Sequence, residues 1–373
     1  MSPGGGKAWA SLSLYESPEL ARRLAEERTG RRPTDAKARE ISAHFSQGRE
    51  YFRSAAGAGE LVRSLILYYG AVALARGAIL FLDPKKTKVE VDHGLRSPGW
   101  DDLLAKPGAV ADGAVGVKAR GTFPELARVT GNADTATVRV SDVPYLMEVR
   151  SPGSDVEEGT SLTIKEVLGQ LPEVAGLYER AFGEHSARLR CELELTSIPE
   201  PDLFDASVSG AIEPHQKVRR QAKLGIPATP TGLPPVRRIT EGLGEDRAVH
   251  RETGTNLLYF AREPVHMVVK SHLFTLLYDG GSQEKPLTQA PIATLPGGVE
   301  YLKLPTAGGT VLSALLALHL VAYAASTLVR YHPGYWAMLV GKAEGAAVAP
   351  VLSAAISAVE ERYPALILEA IGG

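Results

Sequence analysis

Two apolar stretches decide the fold of this chain: LVRSLILYYGAVALARGAILFL at residues 61–82 and VLSALLALHLVAYAASTLVRYHPGYWAML at residues 311–339. Each stretch is long enough to form a central helix, and each is too apolar to lie on a protein surface. They come from opposite ends of a chain of 373 residues. We therefore expect the two helices to pack together, so that the two ends of the chain close one core.

The second stretch also has the length of a membrane-spanning helix. Residues 311–329 carry no formal charge, and an aromatic cluster around Trp336 follows, as it would at a bilayer interface. Polar residues within the stretch, among them Ser313 and His319, favour a buried helix of a soluble protein. We expect no membrane span.

Because the chain starts without an apolar signal segment, we also expect a cytoplasmic protein.

Composition and the order of the patterns predict the fold class. The net charge of −2 gives no general attraction to nucleic acid or acidic lipid, so such binding would need a local patch. The single cysteine, Cys191, excludes an internal disulfide framework. Residues 1–82 and 306–373 are predicted to be helical, and residues 83–305 are predicted to be mixed, with a β-rich part. This order predicts an α+β fold in a single domain over residues 1–373.

Local patterns predict individual elements within these regions. Apolar spacing and capping residues indicate helices, and alternation of apolar and polar residues indicates strands. Helices are predicted to begin at the caps Ser17 and Thr34 and to cover 164–182 and 343–362, and strands are predicted at 89–91, 116–120, 135–140, 187–195, 256–260, 265–269 and 272–278. The run of Gly308, Gly309 and Thr310 before the second apolar stretch indicates either a plain helix start or an anion site on free N–H groups.

Several runs of residues, taken together, point to a known family. At the ends of the chain these are FSQGREYFRSA, at 45–55, with the first apolar stretch, and LLALHLVAYAASTLVRYHPGYWAML, at 315–339. Between them, VDHGL at 91–95, GTFP at 121–124 and IKEVLGQLPEVAGLYERAFG at 164–183 are compatible. Over most of residues 9–340 the chain resembles the YaaC-like family of bacterial proteins. The resemblance implies a cytoplasmic protein with helical ends and a role in defence against phages, and it carries no established catalytic residues.

The residues that follow the second apolar stretch form one candidate binding site. Pro333 ends the helix, so Arg330 and His332 lie in or next to its last turn, where a cation interacts favourably with the helix dipole. Capping of the helix with aromatic packing is one interpretation. In the other, Arg330, His332 and Trp336 line a pocket for a phosphate or a base, because arginine binds phosphate and aromatic rings stack on bases.

Two further sets of residues are candidates for catalysis. His93, in a loop before a glycine, would act as an acid or base if its ring is free, and would otherwise bond the backbone. Arg180 and His185 have the spacing of some helical ribonucleases of the HEPN class, in which histidine moves protons at the 2′-hydroxyl and arginine stabilises the phosphate. The same pair also fits a solvated helix end.

A basic loop is predicted at residues 214–251. It has eight basic and three acidic residues over 215–251, and its Pro-Gly core at 225–235 is not expected to form regular structure. Such a loop would bind nucleic acid, a nucleotide or an acidic protein partner, or would be a solvated crossover. Its candidate contact residues are Arg219, Arg220, Arg237 and Arg238.

These observations favour a non-enzymatic recognition or scaffold protein, with a role in anti-phage defence and a basic loop that binds a protein partner or nucleic acid. The alternative is a nucleotide- or RNA-processing enzyme that uses Arg180 with His185, or His93 with Arg330. His266 and His272 lie six residues apart in predicted strands, but the sequence positions no third ligand, and no nucleotide-binding motif is present. We therefore expect neither a metal nor a cofactor. The oligomeric state is not indicated by the sequence.

Overall fold

The chain is described by a computed structural model that covers residues 3–106, 108–140, 146–184, 186–199, 218–225, 258–262, 265–270, 273–278, 281–286, 292–295, 299–306, 308–341 and 347–372. It forms two compact units. The helical unit comprises Met1–Asp134, Pro152–Arg188 and Pro305–Gly373, and the sheet unit comprises Thr135–Ser151 and Leu189–Leu304. In sequence, the sheet unit is thus inserted into the helical unit at two places. The organisation as a single domain stays a prediction.

The helices belong to the helical unit. In chain order they are α1 (Pro3–Leu12), α2 (Pro18–Thr29), α3 (Asp35–Ala56), α4 (Glu60–Leu82), α5 (Trp100–Leu103), α6 (Thr122–Thr130), α7 (Ile164–Gly169), α8 (Ala175–Phe182), α9 (Ala314–Tyr331), α10 (Pro333–Val340) and α11 (Val348–Ile371). The side chain of Ser17 caps α2, whose first residue is Pro18, and the side chain of Thr34 caps α3. Both predicted helix starts are confirmed.

The core of the helical unit is built around α4. This helix packs against α3, α9 and α11, so the two apolar stretches contact each other as predicted. Leu67 and Leu74 of α4 and Leu316 and Leu320 of α9 are at most 1% exposed. The helical ends of the chain flank a region of strands, which confirms the α+β fold class.

Helices α4 and α9 are also long and apolar enough to cross a membrane. Within the protein, 72% of the most apolar part of α4 and 83% of that of α9 are buried. Core helices of soluble proteins meet the same criteria of length and composition, so these two helices are weak evidence for a membrane span. The absence of a span stays a prediction.

Glycines allow α3 and α4 to approach closely. A Cβ atom added to Gly48 of α3 would lie 2.6 Å from Cδ2 of Leu74, and one added to Gly70 of α4 would lie 2.7 Å from Cδ2 of Phe52. Such separations are shorter than van der Waals contact. The two backbones therefore pack at a distance that larger residues at these positions would prevent.

Two helix predictions need correction. The helix predicted over 164–182 is broken into α7 and α8 by a 3-10 turn at Pro172–Val174, since proline has no N–H to donate and clashes with the preceding helical turn. The helix predicted over 343–362 begins only at Val348 and continues to Ile371, beyond the predicted end. Residues 343–346 lie outside the described ranges.

The strands are β1 (Leu95–Arg96), β2 (Ala114–Val117), β3 (Ala133–Val140), β4 (Leu146–Pro152), β5 (Ser161–Thr163), β6 (Arg188–Pro199), β7 (Val218–Gly225), β8 (Leu258–Arg262), β9 (Val265–Lys270), β10 (Leu273–Tyr278), β11 (Gly281–Pro286), β12 (Ile292–Leu295) and β13 (Val299–Lys303). The strand predicted at 89–91 is not formed, and the one predicted at 116–120 is displaced to β2. The strands predicted at 135–140, 187–195, 256–260, 265–269 and 272–278 correspond to β3, β6, β8, β9 and β10.

Three sheets contain these strands. In the helical unit, β1, β2 and β5 form a small antiparallel sheet in the order β1-β2-β5. In the sheet unit, an antiparallel sheet has the order β11-β10-β9-β8. A six-stranded sheet has the order β12-β13-β6-β3-β4, with β7 paired to β6, and its β3 and β6 are parallel.

Part of the predicted basic loop is a strand. Residues 218–225 form β7, which pairs antiparallel with β6 and places Arg219 opposite Ile198 and Arg220 opposite Ser197. The prediction that these two arginines lie in a loop is therefore wrong, because the apolar residues at 218, 222 and 224 give the segment a strand pattern. Arg237 and Arg238 lie outside the described residues.

Protein side chains cover the start of α9. Ser313 is the N-cap, and its hydroxyl accepts a hydrogen bond from the Leu316 N–H. The N–H groups of Leu312, Ser313 and Ala314 donate, each at 2.7 Å, to side-chain oxygens of Gln170, Asn132 and Asp134. The glycine-rich run at 308–310 thus leads into a capped helix start whose N–H groups already have protein partners, and the anion site is not formed there.

Candidate ligand-binding site around His93

His93 lies in a turn that is held by a second turn of the helical unit. The N–H of Thr122 donates to the Asp92 carbonyl at 2.9 Å, and the N–H of Phe123 donates to the His93 carbonyl at 3.0 Å. Gly121 has a φ of 126°, and a Cβ atom there would lie 2.3 Å from the Gly94 nitrogen. Glycine is therefore required for this close approach. The VDHGL and GTFP runs form one contact that fixes the backbone of His93.

The imidazole of His93 is held as a neutral hydrogen-bond donor. Its Nδ1 accepts from the Leu95 N–H at 3.1 Å, so the proton of the neutral ring is on Nε2. Burial lowers the pKa of His93; Asp92 raises it, and the charges of Lys118, Arg330 and Arg76 lower it further. The side chain is 33% exposed, so it remains accessible to a ligand.

Arg76 is fixed next to this turn. Its Nε donates to the Thr122 hydroxyl at 3.3 Å, and its Nη2 donates to the Val91 carbonyl at 2.5 Å. The side chain comes from the middle of α4 and is partly buried. Among the described residues no carboxylate pairs with it. Arg76 thus brings an unneutralised positive charge to the backbone that carries His93.

Arg330 brings a second positive charge from α9. Its guanidinium carbon lies 5.6 Å from the ring centre of Tyr68 and 5.0 Å from that of Tyr331, so two aromatic rings hold it by cation–π contacts. Its Nε also donates to the Ser326 carbonyl at 3.3 Å. No acidic side chain in the described ranges forms an ion pair with Arg330.

Aromatic rings connect the two arginines to a buried histidine. The ring of Tyr323 lies 5.1 Å from His93 and 5.9 Å from Tyr68, and Tyr68 lies 6.1 Å from His319. His319 is fully buried, and its Nδ1 lies 2.7 Å from the Tyr363 hydroxyl. We call His93, Arg76, Arg330, Tyr68, Tyr323 and His319 the His93 cluster.

Burial keeps the deep part of the cluster neutral. Burial, with smaller effects of His93 and Arg76, lowers the pKa of His319 to about 3. Burial also raises the pKa of Tyr68 above its ordinary value. In the described part of the chain, the Tyr68 hydroxyl and Nε2 of His319 have no hydrogen-bond partner. Two buried polar atoms are thus left unsatisfied next to the arginines, which is unfavourable.

The cluster has a surplus of positive charge. Lys118 pairs with Asp92 at 3.0 Å, so these two charges offset each other. Arg76 and Arg330 remain, both partly buried, and both lower the pKa of His93. Partly buried cations without a counter-charge are unfavourable, and an anion bound next to them would restore the balance. The arrangement therefore has the donors and the charge that an anion-binding site needs.

The other residues predicted around the end of α9 do not join Arg330. His332 lies between α9 and α10, with its ring 6.3 Å from Trp100 and its Nδ1 3.9 Å from the Asp101 carboxylate. Trp336 is buried, and its Nε1 donates to the Leu61 carbonyl at 3.2 Å. Trp336 lines a separate cavity of about 770 Å³ with residues of α4 and α11. A single pocket formed by all three predicted residues is therefore not present.

The predicted HEPN-like pair is described only in part. Arg180 is exposed in the last turn of α8, and Gly183 ends that helix in a left-handed conformation. His185 lies outside the described residues, so the pair stays a prediction. Within the described ranges, no group of three His, Cys, Asp or Glu side chains lies close enough to hold a metal ion.

Four residues of the cluster were missed by the sequence predictions, namely Arg76, Tyr68, Tyr323 and His319. Arg76 and His319 are polar residues inside the two apolar stretches, and Tyr68 precedes a second tyrosine. A charged or titratable residue inside an otherwise apolar helix is costly to bury. That cost is the signal by which Arg76 and His319 could have been found. Of the predicted site residues, the structure brings His93 and Arg330 into one cluster.

Comparison with known proteins agrees with the resemblance. The model of a family described as YaaC-like Protein matches residues 13–371, which is nearly the whole chain. The chain belongs to the YaaC-like family. No curated protein and no solved structure matches the chain. The matched range includes all six residues of the His93 cluster.

Proposed function

We propose that this YaaC-like protein is a recognition protein that binds a phosphate-bearing partner, and that the His93 cluster is its binding site. The supporting observation is the placement of two guanidinium groups without carboxylate partners in the described ranges. Arg76 donates to the Val91 carbonyl, two residues before His93, and Arg330 lies on the ring of Tyr68. Tyr68 in turn contacts Tyr323, whose ring lies 5.1 Å from His93. Phosphate is the common biological anion that arginine recognises with several hydrogen bonds. A neutral Nε2–H of His93 adds one more donor.

Recognition is favoured over catalysis by the state of His93. A general base needs a free lone pair, but Nδ1 already accepts from a backbone N–H and Nε2 carries the proton. The lowered pKa keeps the ring neutral near pH 7, so it is not ready to donate a proton as an acid. A neutral imidazole in this state is suited to hydrogen bonding of a bound anion.

Arg330 offers the direct test. The Arg330→Gln variant should bind inorganic pyrophosphate at least about tenfold more weakly than wild type, measured by isothermal titration calorimetry, because a charged hydrogen bond is lost. The Arg330→Lys variant keeps the charge and should retain part of the affinity. Arg39→Gln, which changes an exposed arginine of α3 outside every candidate site, is the matched control and should bind as wild type does. Equal affinities of wild type and Arg330→Gln would refute the proposal.

A second candidate is a nucleotide- or RNA-processing enzyme that uses His93 with Arg330. It is favoured by the proximity of a histidine to two arginines, since phosphodiester cleavage needs proton transfer and charge stabilisation. Purified protein incubated with labelled RNA tests it. Cleavage by wild type that is lost in His93→Gln would establish the enzyme, and the absence of cleavage in wild type would leave recognition as the function.

The basic segment remains a second proposed contact. Replacing Arg219, Arg220, Arg237 and Arg238 by Glu is expected to weaken binding to nucleic acid or an acidic partner if the segment takes part. Unchanged binding would remove the segment from the proposal.

We also propose, on the family resemblance, that the protein is cytoplasmic and acts against phages. Plaque counts on cells that express wild type or Arg330→Gln would test the defence role together with the site.

A further inference from the structure

Exposed apolar side chains occur next to residues of the His93 cluster. Apolar surface that is rimmed by polar groups is typical of ligand-binding grooves. Tyr331, 67% exposed, directly follows Arg330; Tyr69, 40% exposed, follows Tyr68; and Val91, 89% exposed, supplies the carbonyl that Arg76 binds. A cationic centre is thus bordered by apolar and aromatic surface.

Tyr331 is held in position by the arginine itself. The guanidinium carbon of Arg330 lies 5.0 Å from the ring centre of Tyr331, while most of the tyrosine surface faces solvent. Tyr69 is similarly fixed, because its ring lies 5.8 Å from that of Tyr51 and 6.1 Å from that of Tyr68. Rings that are already ordered lose little entropy when a ligand stacks on them.

We infer that the ligand of the His93 cluster is a nucleoside phosphate, whose phosphate binds at Arg76 and Arg330 and whose base stacks on Tyr331. This inference rests on the proposed function and names its ligand class. A bare phosphate would use the two arginines and leave the exposed aromatic surface unused. A nucleoside phosphate uses both, since every base has a face that stacks on an aromatic ring. The nucleoside phosphate is either a free nucleotide or the phosphorylated end of an oligonucleotide.

A pair of ligands that differ only in the base tests the inference. Adenosine 5′-monophosphate and ribose 5-phosphate are titrated into the full chain by calorimetry. The nucleotide should bind about tenfold more tightly, the effect expected of one stacked base. Tyr331→Ala should remove this preference, so that the two ligands bind equally, and Tyr331→Phe should retain it. Leu177→Ala, which removes an exposed apolar side chain of α8, is the control.

The outcomes separate this inference from the proposed function. Equal binding of the two ligands by wild type, or a preference that persists in Tyr331→Ala, would overturn the nucleoside phosphate and leave the phosphate site intact. Failure of wild type to bind either ligand would overturn the proposed function as well. A 5′-phosphorylated oligoadenylate identifies the source: tighter binding than the mononucleotide supports a nucleic acid end, and equal or weaker binding supports the free nucleotide.

Discussion

At the scale of single residues, His319 is a titratable group that is buried in the core of the helical unit. Its ring is fully buried among aromatic rings, with Phe123 at 5.7 Å and Tyr363 at 5.9 Å between ring centres. The only described hydrogen bond of its side chain is to the Tyr363 hydroxyl. This bond satisfies one of the two ring nitrogens, so its loss would leave both nitrogens of the buried imidazole without a described partner.

Removing the hydroxyl of Tyr363 should therefore destabilise the protein. The Tyr363→Phe variant leaves the Nδ1 atom of His319 unpaired in a buried place, which should lower the free energy of unfolding by about 1–3 kcal/mol. Urea denaturation followed by circular dichroism measures the change. Tyr331→Phe removes an exposed hydroxyl and should leave the stability within about 0.5 kcal/mol of wild type. Equal stabilities of the two variants would contradict the role given to this bond.

His319 also makes stability depend on pH. Its pKa is about 3 in the folded protein, below the value of about 6.5 in an unfolded chain, so the unfolded state binds more protons between these values. Stability is then fully present above pH 6.5 and falls as the pH decreases towards 3, by up to about 1.4 kcal/mol per pH unit from this group. Groups that face it are His93, Arg76, Tyr68 and Tyr363.

The variant His319→Gln should show a flatter dependence of unfolding free energy on pH between 6.5 and 4, even if it is less stable at pH 7. Urea midpoints measured across this range test the prediction. His332→Gln changes a histidine outside the cluster and serves as the comparison. A slope in His319→Gln as steep as that of wild type would show that other groups cause the acid sensitivity.

The site could be predicted only in part from the sequence. His93 and Arg330 were predicted because a loop histidine and a helix-end arginine are recognisable by position. The hydrogen bond from the Phe123 N–H to the His93 carbonyl is a tertiary contact, for which the sequence has no local pattern. The separation of His332 and Trp336 from Arg330 depends on the angle between α9 and α10, which Pro333 permits but does not determine.

At the scale of elements, the approach of α3 to α4 depends on small residues. Gly70→Ala adds a methyl group 2.7 Å from the Phe52 ring and 3.2 Å from the Tyr51 Cβ, and the neighbouring rings would have to move. We expect a loss of about 1–3 kcal/mol of unfolding free energy from overpacking, larger than the gain of up to about 1 kcal/mol in helix propensity. Urea denaturation measures the net change.

Gly176→Ala is the matched control for this prediction. Gly176 lies in α8, where an added Cβ atom would meet no atom within 4 Å. This substitution should leave the stability unchanged or raise it by up to about 1 kcal/mol, since only the helix propensity changes. If Gly70→Ala were as stable as Gly176→Ala, the close packing of α3 on α4 would not limit the size of the residue.

The positions of the helices were predicted more accurately from the sequence than the break within the region 164–182. Caps at Ser17 and Thr34 and the two apolar stretches have strong local patterns, and helices formed there. The region 164–182 begins with a capping box between Thr163 and Glu166, which favours a helix, but Pro172 interrupts it. Apolar spacing alone does not detect such a break, because both halves bury residues on the same core.

At the scale of the whole molecule, the helical unit is assembled from both ends of the chain. Helix α11 packs on α1, α4 and α9, and it buries Val351, Val359 and Ile367. Ion pairs join Arg63 of α4 to Glu360 and Glu173 to Arg362. The last helix is therefore part of the core and not an appendage.

Deleting residues 348–373 should abolish stable folding of the helical unit, because the apolar faces of α4 and α9 would lose a partner. The expected result is protein in the insoluble fraction, or soluble protein without a cooperative thermal transition by circular dichroism. Deletion of Gly372 and Gly373 alone, which follow the helix, is the control and should leave the transition in place. A truncated chain that unfolds cooperatively like wild type would refute the shared core.

The distance in sequence between α4 and α9 affects how the protein is made. Roughly 230 residues separate the two helices. A ribosome that adds about 5–20 residues per second leaves the apolar surface of α4 without its C-terminal neighbour for on the order of ten to fifty seconds. During that time the nascent chain presents a strongly hydrophobic segment to the cell, which is a target for chaperones. Arg330 and Tyr331 are translated last among the residues proposed to contact the ligand, so a chain terminated before them lacks the proposed site.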